Sequence, residues 1–306
     1  MTHPHRVSKI SLIIAYFLIY VVWGSMYYAV DVIIAEIPRF LFGAIRFTVA
    51  GGLLLGWCVM RGEKIWNPPL IRKSFVSGLF LIFIDLVVIM LALKYVSSSL
   101  VAIIASSTAL WIMALDFREW KTNFRQPFFA AGIILGFFGV LMLYVEQLQP
   151  DIIDSNGAVG VIILITGCIS WALGTLYAKY RSGKEENVND FGGTAWQMLL
   201  ASLLFWICSL GSGEISATDF SSVSATAWYS LIYLITLGTV FAYSAYVWLL
   251  KVRPAGEVAT HAYVNPFVAV ALGVMLGGEH VTILQIIGLC LILASITMIG
   301  KRQKTS

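Results

Sequence analysis

Ten apolar runs govern what this chain can become. They fall at about residues 10–30, 38–60, 73–93, 97–116, 126–145, 157–179, 190–211, 226–250, 255–277 and 281–300, the fourth and tenth being the shortest. A helix needs roughly 20 predominantly apolar residues to cross a hydrocarbon core. None of the runs alternates with the period of a strand, and a helix satisfies its own backbone in lipid. The expected fold class is therefore an all-α integral membrane protein with ten transmembrane helices. Only 12% of residues are charged, about half the 25% typical of a soluble domain.

The net charge of +4 raises the question of nucleic acid, and the placement of the charges answers it. With the N-terminus inside, 17 of the 20 Lys and Arg fall in inner segments, including Arg61, Lys64, Arg72, Lys73, Arg118, Lys121, Arg125, Lys179, Arg181, Lys251 and Arg253. Asp31, Glu36, Glu146, Asp151, Asp154, Glu214, Asp219 and Glu279 collect in the outer ones. This is the positive-inside bias. It predicts both termini in the cytoplasm, a lipid bilayer as the partner, and no nucleic acid. Arg6 and Lys9 precede the first run, which has no small-residue cleavage site and is expected to stay as a helix. Cys58, Cys168, Cys208 and Cys290 sit in four different spans and read as packing residues, not a disulfide or metal set. No cofactor is expected.

The stretch "YVVWGSMYYAV" (20–30) has a counterpart in "SWALGTLYAKY" (170–180). Gly24, Ser25 and Tyr27 match Gly174, Thr175 and Tyr177. Arg46, Phe47 and Ala50 then face Gln197, Met198 and Ala201, "LKYVSSSLVA" (93–102) faces "LKVRPAGEVA" (250–259), and Gly132 faces Gly288. The shared order predicts two halves of five helices, residues 1–150 and 151–306, divided near the acidic stretch 146–157. Because five is odd, the halves enter the membrane from opposite sides. Such inverted repeats recur in transporters, where they open a midplane site to each side in turn.

Two stretches carry a family resemblance. "VVWGSMYY" followed by "PRFLFGAIRFTVAGGLLL" resembles the start of an EamA-type carrier of the drug/metabolite transporter superfamily, and "ATHAYVNPFVAVALGVMLGGE" (259–279) resembles the ninth helix of the same family. The likeness covers nearly the whole chain. It implies a ten-helix bundle with a central cavity, exporting small metabolites, amino acids or drugs across the inner (cytoplasmic) membrane. The family usually has Pro in the fourth helix, where this chain has Ala109, while Pro266 stands at the equivalent place in the second half. The two halves are thus expected to flex unequally.

Charges inside spans mark the candidate pathway, since each costs roughly 2.5–3.5 kcal/mol at mid-membrane. Arg46 and Asp85 both lie about 12 Å from the outer surface at 1.5 Å per residue. Equal depth suggests an ion pair; alternatively Arg46 could hold a substrate carboxylate and Asp85 exchange a proton. Glu257, His261 and Asn265 share one helical face at i, i+4 and i+8, where His261 can relay a proton. Pro266 should free the Ala262 carbonyl beside Asn265. Tyr16, Tyr20, Trp23 and Tyr27 form one aromatic stripe, and Thr236, Thr239, Tyr243 and Tyr246 a second; Trp23 and Trp171 lie deeper than an interfacial belt. The substrate-pathway candidates are Trp23, Ser25, Arg46, Asp85, Ser107, Trp171, Tyr177, Gln197, Tyr243, Tyr246, His261, Asn265 and Pro266, with a wet cavity expected between Asn265, Trp23, Trp171 and Tyr243. Gly24, Gly174, Gly52–Gly56, Gly132–Gly136 and Gly273–Gly277 are expected at helix crossings.

These features favour a secondary carrier for a small-molecule substrate, with room for proton coupling and for a homodimer. A drug exporter working by proton antiport is the nearest alternative. An intramembrane enzyme would need HExxH, GxSxG or paired carboxylates, which are absent. A non-transporting receptor or assembly partner would call for longer loops or a soluble domain, and an ATP-driven pump for a P-loop.

Overall fold

The computed structural model describes residues 8–92, 94–96, 98–144, 155–182, 190–277 and 282–300. The helices follow the apolar runs: α1 (9–34), α2 (Arg39–Met60), α3 (Pro68–Ala92), α4 (Ser98–Ser106), α5 (Thr108–Leu115), α6 (Trp120–Phe124), α7 (Pro127–Tyr144), α8 (155–182), α9 (Asp190–Gly211), α10 (Glu214–Ala217), α11 (Ala225–Val252), α12 (Ala255–Val258), α13 (His261–Gly277) and α14 (Ile283–Gly300). Among the described residues, six helical stretches are long and apolar enough to cross a membrane, within α1, α2, α3, α8, α9 and α11. Ile103–Leu115, Pro127–Met142 and Ile283–Ile299 are shorter apolar helices. The acidic divide at 146–154, the charges Arg6, Lys301, Arg302 and Lys304, and the side chain of Tyr27 lie outside the described residues, as do the contacts of Gly273 and Gly277.

Local chemistry sets the ends. Pro68 opens α3 behind Asn67, whose side chain accepts from the Leu70 N–H at 3.3 Å, the expected cap and first-turn proline. Gly62, at φ 71°, turns the chain after α2. Ser224 caps α11 through the Ala227 N–H at 3.1 Å. Two carboxylates reach across the bundle to helix starts. Glu36 accepts from the Ser224 N–H (2.6 Å) and hydroxyl (2.7 Å) ahead of α11, and Glu214 accepts from the Leu41 N–H (2.7 Å) in the first turn of α2. Negative groups are favoured there by the exposed N–H groups and the helix dipole. The Ser224 N–H and then its hydroxyl hold the Glu36 carboxyl below its ordinary value.

Close packing is arranged around small residues, as expected where lipid tails are as apolar as leucine. The α2–α9 pair meets at Gly43 against Phe205 and Gly51 against Leu199, with Phe47 stacked on Phe205 at 5.9 Å. The α7–α14 pair meets where Gly132, Gly136 and Gly139 face Ile299, Ser295 and Ile292. Gly52 and Gly56 contradict expectation: they face open space on the outer side of α2, because the crossing face is set by Gly43 and Gly51 instead. Leu53, Trp57, Ile162, Leu203, Ile207 and Ile232 are likewise exposed, an apolar exterior suited to lipid.

Among the described residues, four segments are wound as π-helix: Leu18–Val22 in α1, Leu79–Ile84 in α3, Ala178–Ser182 in α8 and Leu234–Phe241 in α11. Such turns are rare and cluster at functional sites. The apolar run at 97–116 is broken at Ser107. There Ser106 and Ser107 both donate back to the Ile103 and Ile104 carbonyls at 2.6 Å, a bond that bends helices. The bend therefore comes without a proline, two residues before Ala109, while α13 runs through Pro266.

Candidate functional site

Four aromatic rings from α1, α8, α11 and α13 meet at one point. Trp23 lies 5.4 Å from Tyr246, 5.1 Å from His261 and 6.2 Å from Trp171. Trp171 lies 5.5 Å from Tyr246 and 6.2 Å from His261, and Tyr246 lies 5.4 Å from His261. All are edge-on or tilted, the arrangements that ring quadrupoles prefer. Tyr246 and His261 are buried and the two indoles half-buried.

Each ring is fixed by a polar bond. The Trp23 indole N–H donates to the Gly238 carbonyl at 2.9 Å, inside the π-wound part of α11. The Tyr246 oxygen accepts from the Trp171 indole at 3.1 Å and pairs with the Thr175 hydroxyl. Nδ1 of His261 lies 2.9 Å from the Val258 carbonyl; to bond a carbonyl it must carry the proton, which leaves Nε2 as an acceptor. Beside the rings, Tyr243 donates to Gln197 at 2.8 Å, and Ser25 pairs with the Tyr233 hydroxyl at 2.6 Å.

Several expectations are corrected. Arg46 does not pair with Asp85 among the described residues. Its Nε donates to the Thr239 hydroxyl at 2.7 Å, and its guanidinium lies 5.0 Å from the Phe47 ring centre and 5.8 Å from that of Phe42. Equal depth put the two charges on one level, but the rotation of α2 turns Arg46 toward α11. Asn265 is engaged with backbone carbonyls. It is 7% exposed, and with its amide oriented to satisfy its neighbours the nitrogen donates to the carbonyls of Ile19 (2.9 Å), His261 (3.1 Å) and Tyr20 (3.2 Å). It ties α13 to the π-wound turn of α1. Glu257, His261 and Asn265 do not share one continuous helix either, because a turn at Ala259–Thr260 separates α12 from α13. Glu257 is buried, accepting from the Tyr16 hydroxyl and lying 3.8 Å from Arg253 Nε.

The crossings at Gly24 and Gly174 are real but not equivalent: Gly24 packs on Val268 of α13, Gly174 on Phe80 and Leu81 of α3. Tyr177 is half-buried, and no described contact ties it to the rings. A cavity of about 360 Å³ lies away from the rings, on the flank between α4, α5, α7 and α8, lined by Ile104, Ser107, Leu110, Trp111, Ala114, Phe137 and Ile165. The sequence carried no signal for the Gly238 carbonyl, for Tyr233, or for the π-wound turns.

With this geometry in view, the comparisons with known proteins are decisive. The EamA-like transporter family model matches residues 10–145 and again 158–301. The chain belongs to the EamA-like transporter family. It is a membrane transporter. The "Uncharacterized inner membrane transporter YedA" of Escherichia coli (strain K12) is 29% identical over 293 residues, covering 93% of this chain and 89% of that protein. The "Probable amino-acid metabolite efflux pump" of Salmonella typhimurium is 25% identical over 283 residues, covering 91% of each. A crystal structure aligns with a TM-score of 0.79 at 18% identity, covering 98% of this chain and 100% of that one; it shares the fold.

Proposed function

We propose that this EamA-family chain is a secondary carrier that exports small metabolites, such as amino acids or related amphipathic solutes, across the cytoplasmic membrane by alternating access. Two five-helix halves of opposite orientation, residues 1–150 and 151–306, would exchange conformations around a central site. The ring cluster of Trp23, Trp171, Tyr246 and His261 carries this proposal. It brings hydrogen-bonded aromatic side chains from four helices to one point deep in an apolar bundle, the lining a mixed apolar and polar solute requires. The name of the Salmonella relative supports an amino-acid metabolite as cargo, and the charge bias supports cytoplasmic termini. The energy source is an ion or solute gradient.

The test is uptake into proteoliposomes of radiolabelled amino acids, nucleosides and organic amines, with and without a pH gradient. Saturable uptake that Trp23→Ala and Trp171→Ala abolish is the expected result. Uptake indifferent to both substitutions would move the site elsewhere. Reporters fused after Ser306 and inserted near Asp154 should fall on opposite sides; the same side for both would end the ten-span scheme. Proton antiport of drugs is the second proposal, and the interior carboxylate of Asp85 favours it.

A further inference from the structure

Two formal charges were expected to neutralise each other in the bundle, and they do not. Arg46 is engaged with Thr239 and the faces of Phe42 and Phe47. Asp85 is half-buried in the middle of α3, directly after the π-wound turn Leu79–Ile84. Among the described residues its carboxylate makes no hydrogen bond or ion pair, and no basic side chain stands within range of it. The stretch of α3 around it packs on the residues that hold two phenols: Gly78 lies against Gln197, which accepts from Tyr243, and Phe80 and Leu81 lie against Gly174, next to Thr175, the partner of Tyr246, while Val88 beyond it packs on Gly167 of α8. The other basic groups toward that end of α3 are spent or exposed: Arg39 donates to the Met90 carbonyl at 3.3 Å and Lys94 faces outward.

An unmatched carboxylate at such depth is costly and marks a functional site. Its counter-charge has to arrive from outside the fold. The rings carried by the neighbouring helices are close together: Tyr246 lies 5.4 Å from Trp23, 5.5 Å from Trp171 and 6.3 Å from Tyr243. Ring faces accept the apolar body of a ligand and attract a cation.

We propose that Asp85 is the binding carboxylate for the ammonium group of an organic amine whose apolar body rests on Trp171, Tyr243 and Tyr246. This deepens the carrier proposal above and rests on it for the location of the pathway. It reverses the earlier expectation that Arg46 would hold a carboxylate. The selective charge of the site is negative, and a proton is the natural occupant when the amine has left. An amino acid qualifies through its α-ammonium group.

Three probes of one shape and different charge test this: phenethylamine, phenethyl alcohol and hydrocinnamate, titrated calorimetrically into the purified full-length protein in detergent. Phenethylamine should bind most tightly and hydrocinnamate least. Asp85→Asn should weaken phenethylamine by about 10- to 100-fold, the worth of a charge-assisted hydrogen bond, while leaving phenethyl alcohol unchanged. Asp85→Glu should recover most of the affinity. Equal amine affinity in wild type and Asp85→Asn, tighter binding of hydrocinnamate, or no amine binding by the wild type would each overturn the proposal. So would an Asp85→Asn protein that no longer folds, because the carboxylate would then be holding the structure. Asp85-dependent amine binding without any proteoliposome transport would keep the site and refute the carrier. Transport of acidic or neutral solutes indifferent to Asp85 would do the reverse.

Discussion

Gly78 on α3 and Gly52 on α2 offer a paired test of the packing, because the same Gly→Ala change should have opposite signs at the two positions. A methyl group at Gly78 would lie 2.5 Å from the Gln197 carbonyl oxygen and 3.0 Å from its Cα. These are backbone atoms of α9, and no side-chain rotation relieves them. Ordinary contact begins at 3.4 Å, so α3 must retreat by about 0.9 Å. Overpacking of this kind costs about 1–3 kcal/mol, offset by the roughly 0.8–1.0 kcal/mol that Ala gains over Gly in a helix. The net loss is about 1 kcal/mol. At Gly52 nothing lies within 4 Å, so only the propensity gain remains, up to about 1 kcal/mol of added stability. Melting of the purified variants in detergent, followed by intrinsic fluorescence, should separate them by several degrees, at about 2 °C for each kcal/mol. Gly78→Ala should also slow transport, because Gln197 holds the Tyr243 hydroxyl at 2.8 Å. Shifts of the same sign, or a Gly78→Ala protein as stable as wild type, would refute the reasoning.

Four further outcomes are expected. Asn265→Ala leaves the Ile19 and Tyr20 carbonyls short of a donor and should cost about 1–3 kcal/mol, read as a lower melting temperature. Tyr246→Phe removes the acceptor for the Trp171 indole and the partner of Thr175; it should shift tryptophan emission and slow transport at unchanged expression, and unaltered emission would contradict the ring geometry. Arg46→Ala and Asp85→Ala should act additively on stability, within about 0.5 kcal/mol in a double-mutant cycle, whereas strong coupling would restore the ion pair. Glu36 is bound as the carboxylate, so its stabilisation is complete at neutral pH and is lost as pH falls through its lowered folded-state value. On acidification the wild type should therefore lose melting temperature faster than Glu36→Gln, and equal slopes would show that the cap contributes nothing.

Helix positions were legible in the sequence because hydropathy and length are one-dimensional properties. Rotation about the axis was not. Arg46 and Asp85 could be assigned a depth from their distance to the span ends, yet depth says nothing about which neighbour a side chain faces. Each π-wound turn worsens the problem, since it adds about one residue to the winding and turns all that follows by roughly 100°. The stripe through Tyr16, Tyr20 and Trp23 crosses such a turn, and Asp85 comes directly after another. The ring cluster was partly legible because Trp23 and Trp171 lie too deep for an interfacial belt. That His261 would join them, and that Asn265 would spend its amide on the carbonyls of α1, depended on the break at Ala259–Thr260, which no proline or glycine announces.

Glu36 and Glu214 cross over each other's territory: one leaves the loop after α1 to reach the start of α11, the other leaves α10 to reach the start of α2. Together they sew the loops at one end of the bundle into a single patch, exposed at Glu36, Ser221 and Ser222. An antibody fragment raised against that patch would grip two distant stretches of chain at once. It would serve as a rigid fiducial for imaging so small a protein in its membrane, and loss of its grip on Glu36→Gln would reveal that the seam had opened.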